Sequence, residues 1–121
     1  MKVVKSLPEL RAAREALPEP VGLVPTMGFL HEGHLSLVRR ARAECASAVV
    51  SIFVNPAQFG PQEDLGAYPR DLDRDLAMLD REQADLVWTP DAAEVYPPGF
   101  QTYVTVEEAS RPLEGARRPG H

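Results

Sequence analysis

The sequence predicts an α/β domain built on a parallel sheet. Two apolar, β-branched runs, Val21–Val24 and Ala48–Val54, lack the in-and-out alternation of a surface strand. That is the pattern of strands covered on both faces. Helical periodicity separates them, and strand and helix patterns alternate from Lys2 to Thr89. Such an order builds parallel strands joined by crossover helices.

Lys2–Val4 is the first short strand. Ser6 then suits a helix N-cap, and Glu9 three residues on completes a capping box. Pro8 lies early enough in the helix that its missing N–H removes no bond. Leu7, Leu10, Ala13 and Leu17 form the apolar face, and Pro18 and Pro20 end the helix. After Val21–Val24, the run Pro25-Thr26-Met27-Gly28 punctuates the strand. A second helix is expected over Gly33–Ala46, with Leu30, Leu37, Val38, Ala41 and Cys45 facing inward and Arg39, Arg40, Arg42 and Glu44 outward. Residues 55–69 hold three prolines and two glycines and break all periodicity. A loop of that length in a compact domain is commonly functional. Asp71–Gln83 reads as the third helix, with acidic Asp71, Asp73 and Asp75 suiting its dipole and Leu72, Leu76 and Leu79 inward. Asp85–Thr89 gives a fourth strand and Thr102–Val106 a fifth. Residues 111–121 are polar and irregular.

Composition narrows the class. The chain has 121 residues, 44% of them hydrophobic and 26% charged, with a net charge of −5. This excludes a disordered chain by composition and fits one core. No apolar run reaches the length of a membrane span, and an early acidic residue argues against a secretory signal. One cysteine allows no internal disulfide and fits a reducing cytosol, so a cytoplasmic location is expected. The acidic balance argues against a nucleic-acid binder. Lys2 and Lys5 are the only lysines. Phosphate chemistry in this stretch would therefore use Arg, His or backbone N–H groups.

The stretch Pro25–His34, PTMGFLHEGH, lies where a strand ends and a helix begins. In parallel α/β sheets, ligands bind at the carboxyl ends of strands, and helix N-termini receive anions. Gly28 and Gly33 let backbone approach a ligand. His31 and His34, spaced i, i+3, can share one side of the first turn and donate to phosphate oxygens as charge develops. The plain alternative is a helix-start pair with His34 packed under Val38. The stretch is neither a P-loop, since GxxxxGK[ST] is missing, nor the zinc-protease HExxH. A zinc site would lack further ligands, so no metal site is expected.

With these residues in view, the chain resembles the HxGH nucleotidyltransferases. Its strings VPTMGFLHEGH, SIFVNPAQF, LGAYPR and LEGARRPGH resemble, in order and spacing, the pantothenate synthetase (pantoate–β-alanine ligase) family across essentially the whole chain. The resemblance implies a Rossmann-like fold and two half-reactions. Pantoate carboxylate attacks the α-phosphorus of ATP, with Mg²⁺, giving pantoyl adenylate and pyrophosphate. The β-alanine amine then displaces AMP to give pantothenate. Members of the family are much longer. Residues 1–121 are expected to be the N-terminal part of the nucleotide-binding domain, with a Gly-Glu-Lys-Asp segment, a Ser-Ser-Arg loop and the C-terminal domain outside them. Turnover by these residues alone is expected to be slight.

The resemblance also implies roles. Met27, Gly28, Phe29, Leu30, His31, Glu32, Gly33 and His34 would line the ATP site, with His31 and His34 on the phosphates and His34 as proton donor. Gln58 would bind pantoate and lie near β-alanine, and Asn55 and Tyr68 would join the β-alanine pocket. Pro25, Met27 and Phe53 offer apolar walls for the gem-dimethyl group of pantoate. The 59–69 loop, with Gly60 and Gly66 as hinges, would close over the adenylate and exclude water. A homodimer is implied as well. Plainer readings make Asn55 a turn residue, Gln58 a solvated one and Tyr68 a packing one. They make Cys45 and Trp88 core, the acidic run 71–75 a solvated first turn, and Arg117 and Arg118 exposed. Two other functions stand beside the ligase. One is a different HxGH nucleotidyltransferase, which would want basic residues in FVNPAQF for a phosphate acceptor. The other is a non-catalytic nucleotide-binding or dimerising module.

Overall fold

The computed structural model describes residues 1–121. Four strands form one sheet: β1 (Lys2–Val4), β2 (Val21–Thr26), β3 (Ser47–Ile52) and β4 (Leu86–Trp88). Their order is β1-β4-β3-β2, and all three pairings are parallel. Helices α1 (Leu7–Glu15), α2 (Glu32–Glu44) and α3 (Leu72–Arg81) connect them. Short helices α4 (Ala92–Val95) and α5 (Glu114–Arg117) follow β4. The expected α/β architecture is thus present. No helix is long and apolar enough to cross a membrane.

Period-two alternation divides the core between the two faces of the sheet. Val24, Val50 and Val87 pack with Leu30, Leu35 and Val38 around α2, and with Leu79 of α3. Val4, Val49 and Leu86 face the other way, against Ala13, Leu10 and Leu17 of the α1 segment. Neighbouring residues Val49 and Val50, or Leu86 and Val87, therefore serve opposite layers, and β3 is covered on both sides. The α1 start follows the sequence reading. Ser6 caps Glu9 N–H, and the Glu9 carboxylate accepts from Ser6 N–H at 3.0 Å.

Several expectations are corrected. β2 is an edge strand of this sheet, with Leu23 63% exposed, rather than a strand buried on both faces. It also runs on through Pro25 to Thr26. An edge position tolerates proline because its missing N–H need not break a ladder. On α2 the inward leucine is Leu35, and Leu37 is exposed. Leu35, Val38 and Ala41 share a stripe, while Leu37 sits one residue, about 100° of turn, off Val38. Thr102–Val106 forms no strand, and Val104 is 95% exposed. Alternation alone makes no strand where no neighbour pairs with it. Residues 55–69 contain two 3₁₀ turns, Pro56–Gln58 and Leu65–Ala67.

Candidate functional site

The carboxyl ends of β2, β3 and β4 lead into the segments that carry the candidate residues. After β2 the chain turns through Met27–Leu30 into α2. Thr26 Oγ1 accepts from Gly28 N–H at 3.1 Å and donates to Ser51 O at 2.9 Å, tying the turn to β3. Gly28 has φ +81° and Phe29 φ +50°, two successive left-handed residues. At Gly28 a Cβ would also meet Ile52 Cγ2 at 3.0 Å and Asp75 Oδ2 at 3.1 Å, so glycine is required there.

The helix start is built by the two histidines. His31 is the N-cap of α2, and its Nδ1 accepts from Gly33 N–H at 3.1 Å. His34 Nδ1 accepts in turn from His31 N–H at 3.3 Å. A ring nitrogen that accepts carries no proton. These roles assign the proton of each neutral imidazole to Nε2. Both rings are thereby ready to donate from Nε2. Their centroids lie 4.1 Å apart, tilted by 42°. Partial burial, then the neighbouring His31, push the His34 pKa below 6.5, while Asp75 opposes that shift. The arrangement favours a neutral, donating imidazole beside free helix N–H groups, which suits an anion whose charge grows during reaction. Gly33 makes the first cap possible, because a Cβ there would sit 2.9 Å from His31 Cε1.

Asp75 holds the turn from beneath. It is 1% exposed. Its Oδ2 accepts from Phe29 N–H and its Oδ1 from Leu30 N–H, each at 2.8 Å. This corrects the expectation that residues 71–75 are a solvated first turn; only Asp71 and Asp73 fit that description. It also changes what the residues expected at the ATP site can offer. Phe29 and Leu30 have no free N–H for phosphate, and Leu30 is itself core. Exposed Phe29, His31, Glu32 and Gly33 and half-buried His34 remain open to a ligand. The signal for Asp75 lay in the spacing: it stands one helical turn before Leu79 on the stripe that the third helix turns inward, whereas Leu72, expected on that stripe, is exposed.

A cleft of about 420 Å³ joins Met27, Gln58 and Tyr68, as the pantoate and β-alanine readings place them, with Phe59, Arg118 and His121. Tyr68 stacks edge-on against Phe59 at 5.8 Å. The imidazole pair lies outside this cleft. Asn55 works structurally: its Oδ1 caps Ala57 N–H at 3.0 Å and accepts from Tyr96 O–H at 2.8 Å. Only its amide N–H₂ is left for a ligand. Pro25 stays on β2 and lines neither this cleft nor a second one of about 410 Å³ behind the turn, where Phe53 and Met27 meet. Arg118, read as exposed, is half-buried. It donates to Gln58 O at 3.0 Å and to Glu63 Oε2 at 2.9 Å, while His121 Nδ1 lies 2.9 Å from Gln58 O. Those contacts tie the RRPGH motif to the Gln58 loop. Trp88 packs partly into the second core layer and donates Nε1–H to Lys5 O at 2.9 Å. Cys45 is half-buried, at the end of α2.

Comparison with known proteins agrees with this arrangement. A profile described as pantoate-beta-alanine ligase matches residues 2–121. The pantothenate synthetase of Roseiflexus castenholzii is 64% identical over 121 residues. The alignment covers all of this chain and 44% of that protein. Among solved structures, the pantothenate synthetase of Thermus thermophilus superposes with a TM-score of 0.94 at 55% identity, over all of this chain and 44% of that one. The pantoate-beta-alanine ligase of Francisella tularensis, described as complexed with beta-gamma ATP and beta-alanine, gives 0.92 at 36% identity over 48% of its chain. The chain thus spans less than half the length of these relatives. With a family profile over residues 2–121, relatives at 64% and 68% identity and the same parallel α/β fold in solved members, the chain belongs to the pantoate-beta-alanine ligase family.

Proposed function

We propose that the complete protein condenses pantoate with β-alanine at the expense of ATP, through a pantoyl adenylate, and that residues 1–121 supply the phosphate-facing half of its site. The observation that carries this reading is the pair of imidazoles capping α2 at the carboxyl end of the sheet. Nε2–H groups of His31 and His34 would donate to ATP phosphate oxygens. As pantoate carboxylate attacks the α-phosphorus and pyrophosphate leaves, charge grows on those oxygens and the donors strengthen. Gln58 would orient pantoate in the cleft beside Met27, and β-alanine would enter next to Gln58 and Tyr68. Asn55 does not line that cleft, and its amide N–H₂ would be the only donor it could offer β-alanine.

Mg²⁺ would enter with ATP. These residues hold no group of three His, Cys, Asp or Glu side chains able to bind a metal, and no residue of this stretch is assigned to it. Magnesium commonly keeps its waters and rides on substrate phosphates, which agrees with that composition. We place the enzyme in the cytoplasm and as a homodimer, following its family. The basic residues that a phosphate acceptor would need are missing from FVNPAQF, which favours a carboxylate acceptor over another nucleotidyl transfer.

The test is exchange of labelled pyrophosphate into ATP by the complete protein. Exchange that requires pantoate, followed by pantothenate and AMP when β-alanine is added, is the expected result. Exchange without pantoate, or none with it, would overturn the reading.

A further inference from the structure

The residue that grips the imidazole turn has no place in the two half-reactions. Asp75 lies on α3, within a few residues of the end of the loop that bears Gln58 and Tyr68. Both its oxygens are engaged by consecutive backbone N–H groups, of Phe29 and Leu30. Successive N–H groups of a left-handed turn form a concave anion receptor. Here the protein fills that receptor with its own buried carboxylate. Arg74 completes the grip. Its Nη1 donates to Leu30 O at 3.1 Å, and its guanidinium stands 5.5 Å from the centre of the Phe29 ring. Phe29, a non-glycine residue in the left-handed region, is held in a conformation that L side chains disfavour. Bonds from a buried anion are what hold it there.

We propose that Asp75 is a positioning residue: its carboxylate fixes the Gly28–Leu30 turn, and through it the His31–His34 pair, relative to the loop that carries Gln58. This rests on the ligase reading for its kinetic consequence, but not for its physical one. The link is direct in the chain, since Leu30 precedes the His31 cap and α3 follows the 55–69 loop. One carboxylate therefore sets the distance between the phosphate-facing and pantoate-facing parts of the site. Its position also excludes the turn itself as the phosphate receptor, leaving the α2 start and the imidazoles for that purpose. The charged groups acting on His34 are His31 and Asp75, while neighbouring Glu32 is paired with Arg39.

The experiment uses the complete protein with Asp75→Asn, Asp75→Glu and Arg74→Ala, reading pyrophosphate exchange, thermal unfolding and, by NMR, the imidazole titration of His34 and amide exchange at Phe29 and Leu30. Asparagine retains the shape but turns an N–H₂ toward a backbone N–H and removes the charge. Asp75→Asn is expected to lower kcat about 10²-fold, as misplacement of reacting groups by an ångström does. KM for ATP should change little, and the His34 titration should move to lower pH. Asp75→Glu, retaining the charge, should return the titration toward normal with partial recovery of kcat. Unchanged kcat and unchanged His34 titration in a folded Asp75→Asn protein would overturn the proposal and leave Asp75 a stability residue only. If Asp75→Asn does not fold, Arg74→Ala decides: a lower kcat at normal unfolding temperature supports the grip, and normal kcat overturns it. The titration and the amide exchange are read without turnover. Failure of pantoate-dependent exchange in the unsubstituted protein would thus remove the ligase reading, while faster amide exchange at Phe29 and Leu30 in folded Asp75→Asn would still establish the grip.

Discussion

The turn at 26–34 and the loop at 55–69 both supply the candidate site, yet they are held by opposite means. The turn is fixed by distant, buried groups: Asp75 from α3, the Thr26 hydroxyl bridging to β3, and Leu30 in the core. The loop is fixed by its own local caps, by the Tyr96 hydroxyl on Asn55 and by the partly exposed Arg118 and His121 near the chain's end. Asn55 and Asp64 cap its two 3₁₀ turns, and Glu63 accepts from Gly60 N–H at 2.7 Å while pairing with Arg118. Buried, fully satisfied carboxylate bonds resist opening, whereas exposed ion pairs contribute little and are screened. The first region is held by contacts that are costly to break, and the second by contacts that cost little to open.

The largest expected effect lies in the rigid region. His34→Ala in the complete protein should lower the rate of pantoate-dependent exchange about 10²–10³-fold, as for loss of one transition-state donor. Near-normal turnover would break the contrast at its strongest point. Packing beneath the turn is probed by Leu79→Ala, which should lower stability by about 2–5 kcal/mol in denaturant unfolding. Gln58→Ala should raise KM for pantoate and β-alanine about 3- to 10-fold, the effect of one neutral hydrogen bond, with ATP binding largely unchanged. A selective loss of ATP affinity would place Gln58 elsewhere. On the loop side, ATP plus pantoate should protect residues 59–69 from proteolysis, and identical cleavage with and without them would remove the closing role. The smallest effect is expected from Glu63→Gln. Its carboxylate is held below the usual range first by the Gly60 N–H and then by Arg118, but the pair is exposed, and the unfolding temperature should hardly move.

Acidity should distinguish the regions as well. The folded state lowers the His34 pKa below 6.5, chiefly by burial. The folded protein therefore binds a proton there less readily than the unfolded chain. Its contribution to stability is complete above about pH 6.5 and is lost as pH falls through the depressed value. Protonation would also end the acceptor role of Nδ1 toward His31 N–H. Unfolding temperature should thus decline below about pH 6.5 in the unsubstituted protein and decline less in His34→Gln. Equal pH dependence in the two would show that this imidazole is not the group responsible.

Much of this organisation was legible in the residues. The apolar runs, the capping box at Ser6 and Glu9, and the strand-to-helix position of the two histidines all depend on local pattern. What escaped depended on partners far along the chain. Strand order decides that Leu23 lies on an edge, and no periodicity in VGLV contains that fact. Thr102–Val106 alternates like a strand but has no strand to pair with. Asp75 looked like helix-dipole charge because three acidic residues alternate there. Only the fold brings Phe29 and Leu30, far earlier in the chain, onto its carboxylate. The caps made by His31 and His34 were closer to hand, since i, i+2 and i, i+3 spacings permit them. Their consequence for the tautomer followed from which nitrogen accepts.

That consequence is the central claim about the site, and a long-range proton–nitrogen NMR spectrum of the histidines in the complete protein at neutral pH tests it most directly. The neutral rings of His31 and His34 should both carry the proton on Nε2, and ATP should perturb those Nε2–H groups. A neutral ring with its proton on Nδ1, in either residue, would contradict that assignment.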